Sequence, residues 1–259
     1  MACVKIPMRM RLSCVVLRRK AHGDLLWRFM MEIYSESFTV SPEGLCTGDL
    51  FRLMQDISGH HSTLLGYSEQ RMEELGVMWV IIRHGIQVQR WPEAGEEILA
   101  RTWPGPTRHS MCPRFYRLES GEGEVLITGC AIWSVVDRES RKMVIPAARG
   151  VDFPSMVTGL EGKRPGAPAR LATTEHSRYI VGREVLDENR HMNNTRYYDL
   201  AEELLGTRGR ALELALVEYV NEALEGDTLE LHWGEQEGLI CFEGENHGEE
   251  AFRMNLKYR

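Results

Sequence analysis

Two short stretches of the sequence decide the fold, because each marks the same kind of turn in a different part of the chain. The first is Glu93-Ala94-Gly95-Glu96-Glu97-Ile98-Leu99, and the second is Leu224-Glu225-Gly226-Asp227-Thr228-Leu229-Glu230. Both predict a strand, a turn at a glycine and a second strand. This recurrence indicates that the chain carries two copies of one structural unit.

A long helix is predicted ahead of the first turn, from about Gly48 to Leu65, with Thr47 as its N-cap. Its apolar residues recur at i, i+3, i+4 and i+7, which places them on one face: Leu50, Leu53, Met54 and Ile57. An alternating apolar stretch over residues 79–88 follows and is typical of a half-buried strand. Further strands are predicted over residues 97–103, 114–118 and 126–136.

The second copy repeats this order. Its helix is predicted from about Asn194 to Leu205, with Asn193 or Asn194 as the cap and Gly206 at the end. Strands are predicted over residues 214–220, 228–233, 239–243 and 251–258. A long apolar helix flanked by strands needs a sheet to cover it, so the sequence predicts an α+β protein of two helix-on-sheet units.

Composition divides the chain into four segments. Residues 1–29 hold seven basic side chains and one acid, and we expect a disordered extension there. A targeting peptide is the alternative, but the apolar stretch over residues 12–17 is short and interrupted. Residues 30–147 form the first predicted unit, residues 148–174 a linker rich in Pro, Gly and Ala, and residues 175–259 the second unit.

Charge and cysteine usage exclude several functional classes. The net charge of the whole sequence is −7, although residues 1–29 alone carry about +6. The rest of the chain is therefore strongly acidic, which makes nonspecific nucleic-acid binding unfavourable. The six cysteines are scattered, which favours a reducing cytoplasm and argues against a metal site. No apolar run approaches the roughly 20 residues of a membrane span, so we expect no membrane insertion, and no cofactor motif is present.

The candidate chemistry lies in residues 187–194, Asp-Glu-Asn-Arg-His-Met-Asn-Asn. Asp187, Asn189 and His191 alternate, so in an extended segment they would share one face, ahead of a helix N-terminus whose free amides suit an oxyanion. His191 can exchange a proton near neutral pH. Glu222, predicted on a strand, can act as a base on water. The alternative is that these residues only form a turn and cap the helix.

The duplication provides an internal comparison for these residues. Matching helix starts and glycine turns pairs Asp187 with Ser41, Asn189 with Glu43, His191 with Leu45 and Glu222 with Trp91. A structural role should persist in both copies, whereas a catalytic role is needed in only one. The pairing therefore favours a catalytic second copy.

These motifs resemble the acyl-ACP thioesterases of plants and bacteria. Residues 186–197 resemble the family's Asp-x-Asn-x-His-Val-Asn-Asn-x-x-Tyr signature, and residues 217–223 resemble its Leu-Glu-Tyr-Arg-Arg-Glu-Cys segment. Residues 78–83, 131–137 and 140–142 also resemble family segments, so the likeness covers about residues 32–259. It implies two tandem hotdog domains, each a long helix wrapped by an antiparallel β-sheet, with a non-catalytic first domain that holds the acyl chain.

The resemblance also implies an activity, the release of a free fatty acid from acyl-acyl carrier protein in fatty acid biosynthesis. Asn189 and His191 would polarise the thioester carbonyl, Glu222 would activate water, and Asp187 would hold the network. Direct attack by water and a transient acyl-enzyme both stay open. Ala223 stands where the family often has cysteine, so a thiol nucleophile is impossible at this position.

Substrate contacts are expected in two places. The resemblance suggests that the first copy lines an apolar acyl tunnel, with these candidates: Leu50, Leu53, Met54, Ile57, Trp79, Val80, Ile82 and Trp133. The alternative for each is plain core. Arg190 and Arg196 flank the motif and are expected to meet an acidic acyl carrier protein that bears a phosphopantetheine-linked acyl chain, unless they only solubilise the surface.

Other functions compete with this interpretation. The carrier could be coenzyme A, which is also anionic. A hotdog-type dehydratase or hydratase would use similar groups to move a proton at carbon. A non-catalytic acyl-thioester binding module is a further alternative. Exposed sheet edges also make a homodimer compatible with the sequence.

Overall fold

The computed structural model describes residues 33–152, 158–160 and 162–259, and the predicted N-terminal extension lies outside this part of the chain. The first half of the described chain contains six strands and two helices. In chain order these are β1 (Tyr34–Thr39), α1 (Thr47–Leu64), α2 (Glu69–Glu74), β2 (Val77–Val88), β3 (Glu97–Pro104), β4 (Cys112–Ser120), β5 (Val125–Asp137) and β6 (Met143–Val144).

The second half contains five strands and one α-helix within the described residues. These are β7 (Glu175–Ile180), α3 (Arg196–Leu205), β8 (Leu212–Tyr219), β9 (Thr228–Gln236), β10 (Leu239–Asn246) and β11 (Glu249–Tyr258). Two short 3-10 segments, Pro146–Arg149 and Arg183–Val185, complete the described elements.

All of these strands join one antiparallel sheet of the order β1-β3-β4-β5-β2-β8-β11-β10-β9-β7, with β6 paired to β5. The two halves share one strand order, first-third-fourth-fifth-second, and they meet through their second strands. The junction pairs β2 with β8 from Arg83 opposite Glu218 to Gln87 opposite Leu214. The α+β prediction of two helix-on-sheet units is therefore confirmed.

The two glycine turns that suggested the duplication make equivalent hydrogen bonds. The Gly95 amide donates to the Val40 carbonyl at 3.0 Å, and the Gly226 amide donates to the Val181 carbonyl at 2.9 Å. Both glycines have positive φ angles, 81° and 87°, a region that side chains disfavour. This agreement confirms that Trp91, four residues before Gly95, matches Glu222.

The predicted helices are present, but both N-caps differ from the prediction. Cys46 caps α1 in place of Thr47, because its sulfur accepts from the Asp49 amide. Helix α3 starts at Arg196, two residues later than predicted. The cause is Asn193, whose side-chain oxygen accepts from the amide of Thr195 at 2.9 Å and holds the preceding residues in a turn.

The strand predictions are correct in number and order for the stretches they covered. Most strands extend one to three residues beyond the predicted bounds, as in β4, because ladder hydrogen bonds continue where the apolar alternation stops. The exception is β8, which ends at Tyr219. The amides of Val220 and Asn221 both donate to the Ala251 carbonyl, which ends the regular ladder there.

The helices of the two halves pack against each other on one side of the sheet. Phe51 of α1 stacks on Tyr198 of α3, with ring centroids 3.7 Å apart and planes 9° apart. The ring of Phe51 also packs edge-to-face against the ring of His84 in β2, with the two centroids 4.6 Å apart. Arg52 also donates to Asp199 of α3 at 3.2 Å. These contacts hold the helices over the β2–β8 junction.

Residues 162–174 form no helix or strand and cross the opposite side of the sheet. A side chain at Gly85 of β2 would lie 3.0 Å from Pro165. The Ala169 carbonyl accepts from Asn255 of β11 at 3.1 Å. This segment therefore passes from the first half-sheet to the second along its outer face.

Replacing Phe51 by alanine should lower the free energy of unfolding by about 3–5 kcal/mol, the usual cost of deleting a buried phenyl ring. Urea-induced unfolding followed by tryptophan fluorescence measures the change. Leu64→Ala is the matched control on the same helix, since Leu64 is 58% exposed; it should change stability by less than about 0.5 kcal/mol. Equal stability of the two variants would contradict the importance of the ring stack.

Candidate active site

The segment that carries the candidate chemistry is a tight turn and not the extended strand that alternation suggested. The Asp187 amide donates to the His191 carbonyl at 2.7 Å. The Asp187 carboxylate accepts from the amides of Asn189 at 2.9 Å and His191 at 3.1 Å. Arg190 adopts a left-handed conformation, with φ 64°. The prediction of one shared face is wrong, because the Asp187 carboxylate closes the chain on itself.

The first half contains the same turn without the same side chains. The Ser41 hydroxyl accepts from the Glu43 amide at 3.2 Å, and the Ser41 carbonyl accepts from the Gly44 amide at 2.9 Å. Asp187 makes the two equivalent bonds with Asn189 and Arg190. The pairing of Ser41 with Asp187 is therefore confirmed. Since both copies keep this role, the turn-closing function of Asp187 is structural.

Glu222 and His191 lie side by side. The Met192 amide donates to the Ala223 carbonyl at 2.8 Å, which fixes the two loops together. His191 Nε2 is 2.8 Å from Glu222 Oε2, with 18% and 47% of the two side chains exposed. Glu222 stands in the loop after β8 and not on a strand as predicted, because β8 has already ended at Tyr219.

At the matching place in the first half, an indole replaces this acid–base pair. Trp91 Nε1 donates to the Leu45 carbonyl at 3.1 Å. Trp91 is the counterpart of Glu222, and Leu45 is the counterpart of His191. Neither Trp nor Leu can exchange a proton with a substrate at neutral pH. The asymmetry predicted from sequence is thus present: matched positions carry a side chain–backbone contact in the first half and a side chain–side chain contact in the second.

A cavity of about 960 Å³ opens beside the turn. Asp187, Asn189 and Asn193 line one end of it, while His191 and Glu222 are absent from its wall. Of the four predicted catalytic residues, the structure thus pairs His191 with Glu222 and directs Asp187 and Asn189 to the cavity. The Asp187 carboxylate reaches His191 through the backbone amide.

The cavity wall differs from the predicted tunnel lining. Trp79 and Trp133 line it as predicted. Four other candidates lie in the core between α1 and the sheet and do not form its wall: Leu50, Leu53, Met54 and Ile57. The helix turns its apolar face to the sheet and presents other residues to the cavity. Val80 alternates away from Trp79, and Ile82 lies at a bulge in β2; neither lines the cavity.

Arg114 of β4 brings a buried cation to the cavity wall, and the sequence pattern did not single it out. Its guanidinium contacts His61 Nδ1 at 3.1 Å and the Thr102 hydroxyl at 3.3 Å. Burial lowers the pKa of Arg114 to about 10. Alternation predicted a strand at this position, but it does not reveal that one of the inward side chains is charged.

Arg141 is the second residue that sequence reasoning missed. It lies in the turn between β5 and β6, in the first half of the chain, and its Nη2 is 2.7 Å from His191 Nε2. The same nitrogen donates to Glu222 Oε2. Its Nη1 is 3.6 Å from the sulfur of Met78, which lines the cavity. Arg141 and His191 are 50 residues apart in the sequence, so helix or strand periodicity does not predict their contact.

The two arginines predicted to meet a carrier have different surroundings. Arg190 is exposed on the turn. Arg196 donates to Asp199, one helical turn further along α3, at 3.1 Å. Glu188 of the same turn and Glu69 of α2 form an acidic pair at the cavity rim. Repulsion by Glu188 raises the pKa of Glu69.

The thiols in the described part of the chain are free and largely protonated at neutral pH. Burial, and then a hydrogen bond to Asp49, raise the pKa of Cys46 to about 12. Burial likewise raises the pKa of Cys112 and Cys241. Ala223 is fully buried beside Glu222 and supplies no thiol there.

The described residues include no group of three or more His, Cys, Asp or Glu side chains arranged to hold a metal ion. Within the same residues, no helix is long and apolar enough to cross a membrane.

Comparison with sequence families agrees with this architecture. The model of the acyl-ACP thioesterase N-terminal domain matches residues 43–146, and the model of the C-terminal domain matches residues 169–259. The chain belongs to the acyl-ACP thioesterase family. Both matched regions coincide with the halves that share the sheet, so this family membership accounts for nearly all of the described structure.

Individual relatives of the family are distant. A palmitoyl-acyl carrier protein thioesterase, chloroplastic, from Cuphea hookeriana is 21% identical over 159 residues, which cover 56% of this chain and 38% of that protein. The match thus spans about two fifths of the curated relative.

Two solved structures share the fold over 88% of this chain. An acyl-ACP thioesterase from Bacteroides thetaiotaomicron has a TM-score of 0.75, 20% identity and 98% coverage of its own chain. The 12:0-ACP thioesterase from Umbellularia californica has a TM-score of 0.74, 18% identity and 97% coverage. These likenesses establish the hotdog fold in both halves.

Three of the four described cysteines, Cys46, Cys112 and Cys241, should resist iodoacetamide at neutral pH, because the reactive species is the thiolate and its fraction is small when the pKa is raised. Brief alkylation followed by peptide mass spectrometry would measure modification at Cys46, Cys112 and Cys241 separately. The same treatment after unfolding in urea is the control and should label all three. Rapid labelling of native Cys46 would contradict its high pKa.

Proposed function

We propose that this protein hydrolyses fatty acyl thioesters carried by acyl carrier protein and releases free fatty acids in fatty acid biosynthesis. The observation that carries the proposal is the 2.8 Å contact between His191 Nε2 and Glu222 Oε2 beside a large cavity. Membership of the acyl-ACP thioesterase family supports the same reaction. The similarity to the palmitoyl-acyl carrier protein thioesterase of Cuphea hookeriana supports the choice of carrier.

The proposed reaction divides the work among the paired residues. Glu222 takes a proton from water, and the oxygen attacks the thioester carbonyl carbon. Asn189 and His191 donate hydrogen bonds to the carbonyl oxygen as negative charge develops there. The carbon–sulfur bond then breaks, and the proton held by Glu222 passes to the sulfur of the leaving phosphopantetheine thiol. Asp187 keeps the turn closed and so positions Asn189 and His191.

The two halves have different parts in this proposal. Residues 30–147 would form the N-terminal domain that holds the acyl chain, residues 148–174 the linker, and residues 175–259 the catalytic domain. The cavity of about 960 Å³ supports the first assignment, since ligand sites commonly occupy roughly 300–1,000 Å³. Trp79 and Trp133 supply aromatic wall for the chain, and the turn at Asp187 brings the thioester end to the second half.

Docking of the carrier is proposed on the side of the turn that carries Arg190 and Arg196. An acidic partner would avoid the rim formed by Glu188 and Glu69, because like charges there already repel each other. Exposed Arg190 is the better placed of the two arginines, since Arg196 is engaged by Asp199.

Compartment and assembly are part of the proposal. The four described cysteines are free thiols, which supports a reducing cytoplasm. Strands β1 and β7 end the sheet and offer open edges for a second copy, which supports a homodimer.

Product analysis is the direct test of this function. Incubation with acyl-acyl carrier protein should release free fatty acid, measured by mass spectrometry. Parallel incubations with acyl-CoA, 3-hydroxyacyl and 2-enoyl thioesters separate the competing activities. Faster turnover of acyl-CoA, or addition of water across a double bond without release of acid, would replace the proposed reaction.

Glu222→Ala and His191→Ala should each reduce kcat by at least about 100-fold, the usual scale for an acid–base group. Steady-state kinetics on the same acyl-carrier substrate measures the loss. Glu225→Ala is the matched control, because this exposed acid lies in the same loop; it should leave kcat within about twofold, as for other surface changes. Near-normal turnover of either site variant would remove that residue from the mechanism.

Charge reversal at the proposed docking side should weaken carrier binding. Arg190→Glu and Arg196→Glu should raise the Michaelis constant for the carrier-bound substrate by about three- to tenfold, the scale of one rim charge. The control is a short N-acetylcysteamine thioester, which lacks the carrier and should show an unchanged constant. An equal effect on both substrates would argue against carrier docking at this surface.

A further inference from the structure

We propose that Arg141, from the first half of the chain, is a positioning residue of the active site in the second half. The inference rests on the proposed function, because it assigns Arg141 to the base Glu222. It starts from two contacts of one guanidinium nitrogen: Nη2 lies 2.7 Å from His191 Nε2 and also donates to Glu222 Oε2. A guanidinium carries only donors and stays charged at every physiological pH.

The chemistry of His191 makes this arrangement informative. Its Nε2 holds either a proton or a lone pair, so it cannot donate to Glu222 and accept from Arg141 at the same time. With a proton on Nε2, the imidazole and Arg141 both donate to the Glu222 carboxylate. With a lone pair on Nε2, Arg141 can donate to the imidazole. Arg141 therefore keeps a partner in both states of His191 as protons move through the site.

Glu222 needs such support because of where it stands. It lies in a loop beyond the end of β8, and 47% of its side chain is exposed. An exposed glutamate on a loop samples several rotamers, whereas a base must be aimed at one water molecule. Arg141 and His191 both contact the same oxygen, Oε2, and these two contacts restrict the orientation of the carboxylate.

The backbone of Arg141 is itself held in place. Its φ angle is 58°, an uncommon conformation for a residue other than glycine. The Arg141 amide donates to the Asp137 carbonyl at 2.9 Å. The Asp137 carboxylate accepts from the amide and the hydroxyl of Ser140, both at 2.8 Å, and from Arg149 at 2.6 Å. These bonds lower the pKa of Asp137, the backbone bond from Ser140 most of all.

The catalytic pair is thus completed by a rigid turn of the other half. Met78, the cavity residue that touches Arg141, lies at the start of β2, the strand whose later part, from Arg83 to Gln87, pairs with the second half-sheet. Under this proposal the first half supplies both the acyl pocket and the group that aims the base. The second half alone would leave Glu222 without that group.

The test compares Arg141→Ala, Arg141→Lys and Lys142→Ala in the full-length protein. Arg141→Ala should reduce kcat by about 10- to 100-fold, within the range of a lost acid–base contribution. The Michaelis constant should stay within about threefold, because Arg141 acts on the base and not on substrate affinity. Arg141→Lys should recover part of the loss. Lys142→Ala removes an adjacent exposed charge and should match the wild type.

Added methylguanidine separates positioning from a structural role. It should restore part of the kcat of Arg141→Ala by filling the vacated place and should leave Lys142→Ala unchanged. Near-normal kcat in Arg141→Ala would overturn the inference. A loss that accompanies a large fall in melting temperature, with no rescue by methylguanidine or by lysine, would also overturn it.

A second measurement does not depend on turnover. In ¹⁵N-labelled protein, the His191 Nε2 resonance, assigned with His191→Gln, should move in Arg141→Ala and stay in place in Lys142→Ala. An unchanged resonance would overturn the inference even if the enzyme is active. A wild-type protein that hydrolyses no acyl thioester would refute the proposed function, and the resonance would still decide whether Arg141 engages His191.

Discussion

The antiparallel pairing of β2 with β8 is the constraint on which the rest of the structure depends. It makes two half-sheets into one and places both helices on the same side, where Phe51 and Tyr198 stack. The β2–β8 ladder ends at Arg83 and Glu218. Beyond this end, the first residues of β2 lie on the side of the loop that follows β8. Because of this register, Met78 and the β5–β6 turn come close to Glu222, although they belong to different copies of the duplicated unit.

Features governed by local chemistry could be predicted from the sequence. The glycine turns at Gly95 and Gly226, the apolar face of α1 and the succession of the predicted strands along each copy all follow from periodicity and backbone preference. The correspondence between Trp91 and Glu222 could also be predicted from the sequence, since each lies four residues before the glycine of its own turn. Alternation failed at Asp187, because a side chain that accepts from backbone amides overrides the extended conformation that spacing alone suggests.

Features that depend on contact between the copies could not be predicted in this way. Arg141 reaches His191 across the junction, and neither residue carries a sequence signal for the other. Apolar stripes were equally ambiguous. The stripe on α1 that includes Leu50 and Ile57 faces the core. Other residues of the same helix, such as Gln55, line the cavity. Periodicity identifies a buried face, but it does not tell whether the face meets protein or a ligand.

The contact between Trp91 and the Leu45 carbonyl has a consequence for how this protein evolves. The indole packs against the core at the place where the other copy keeps a carboxylate. An acid–base pair at this place would need an acid and a histidine together, and either change alone would remove packing without completing the pair. Packing stability therefore favours retention of Trp91 in the first copy, while the chemistry proposed for His191 and Glu222 places no demand on that position.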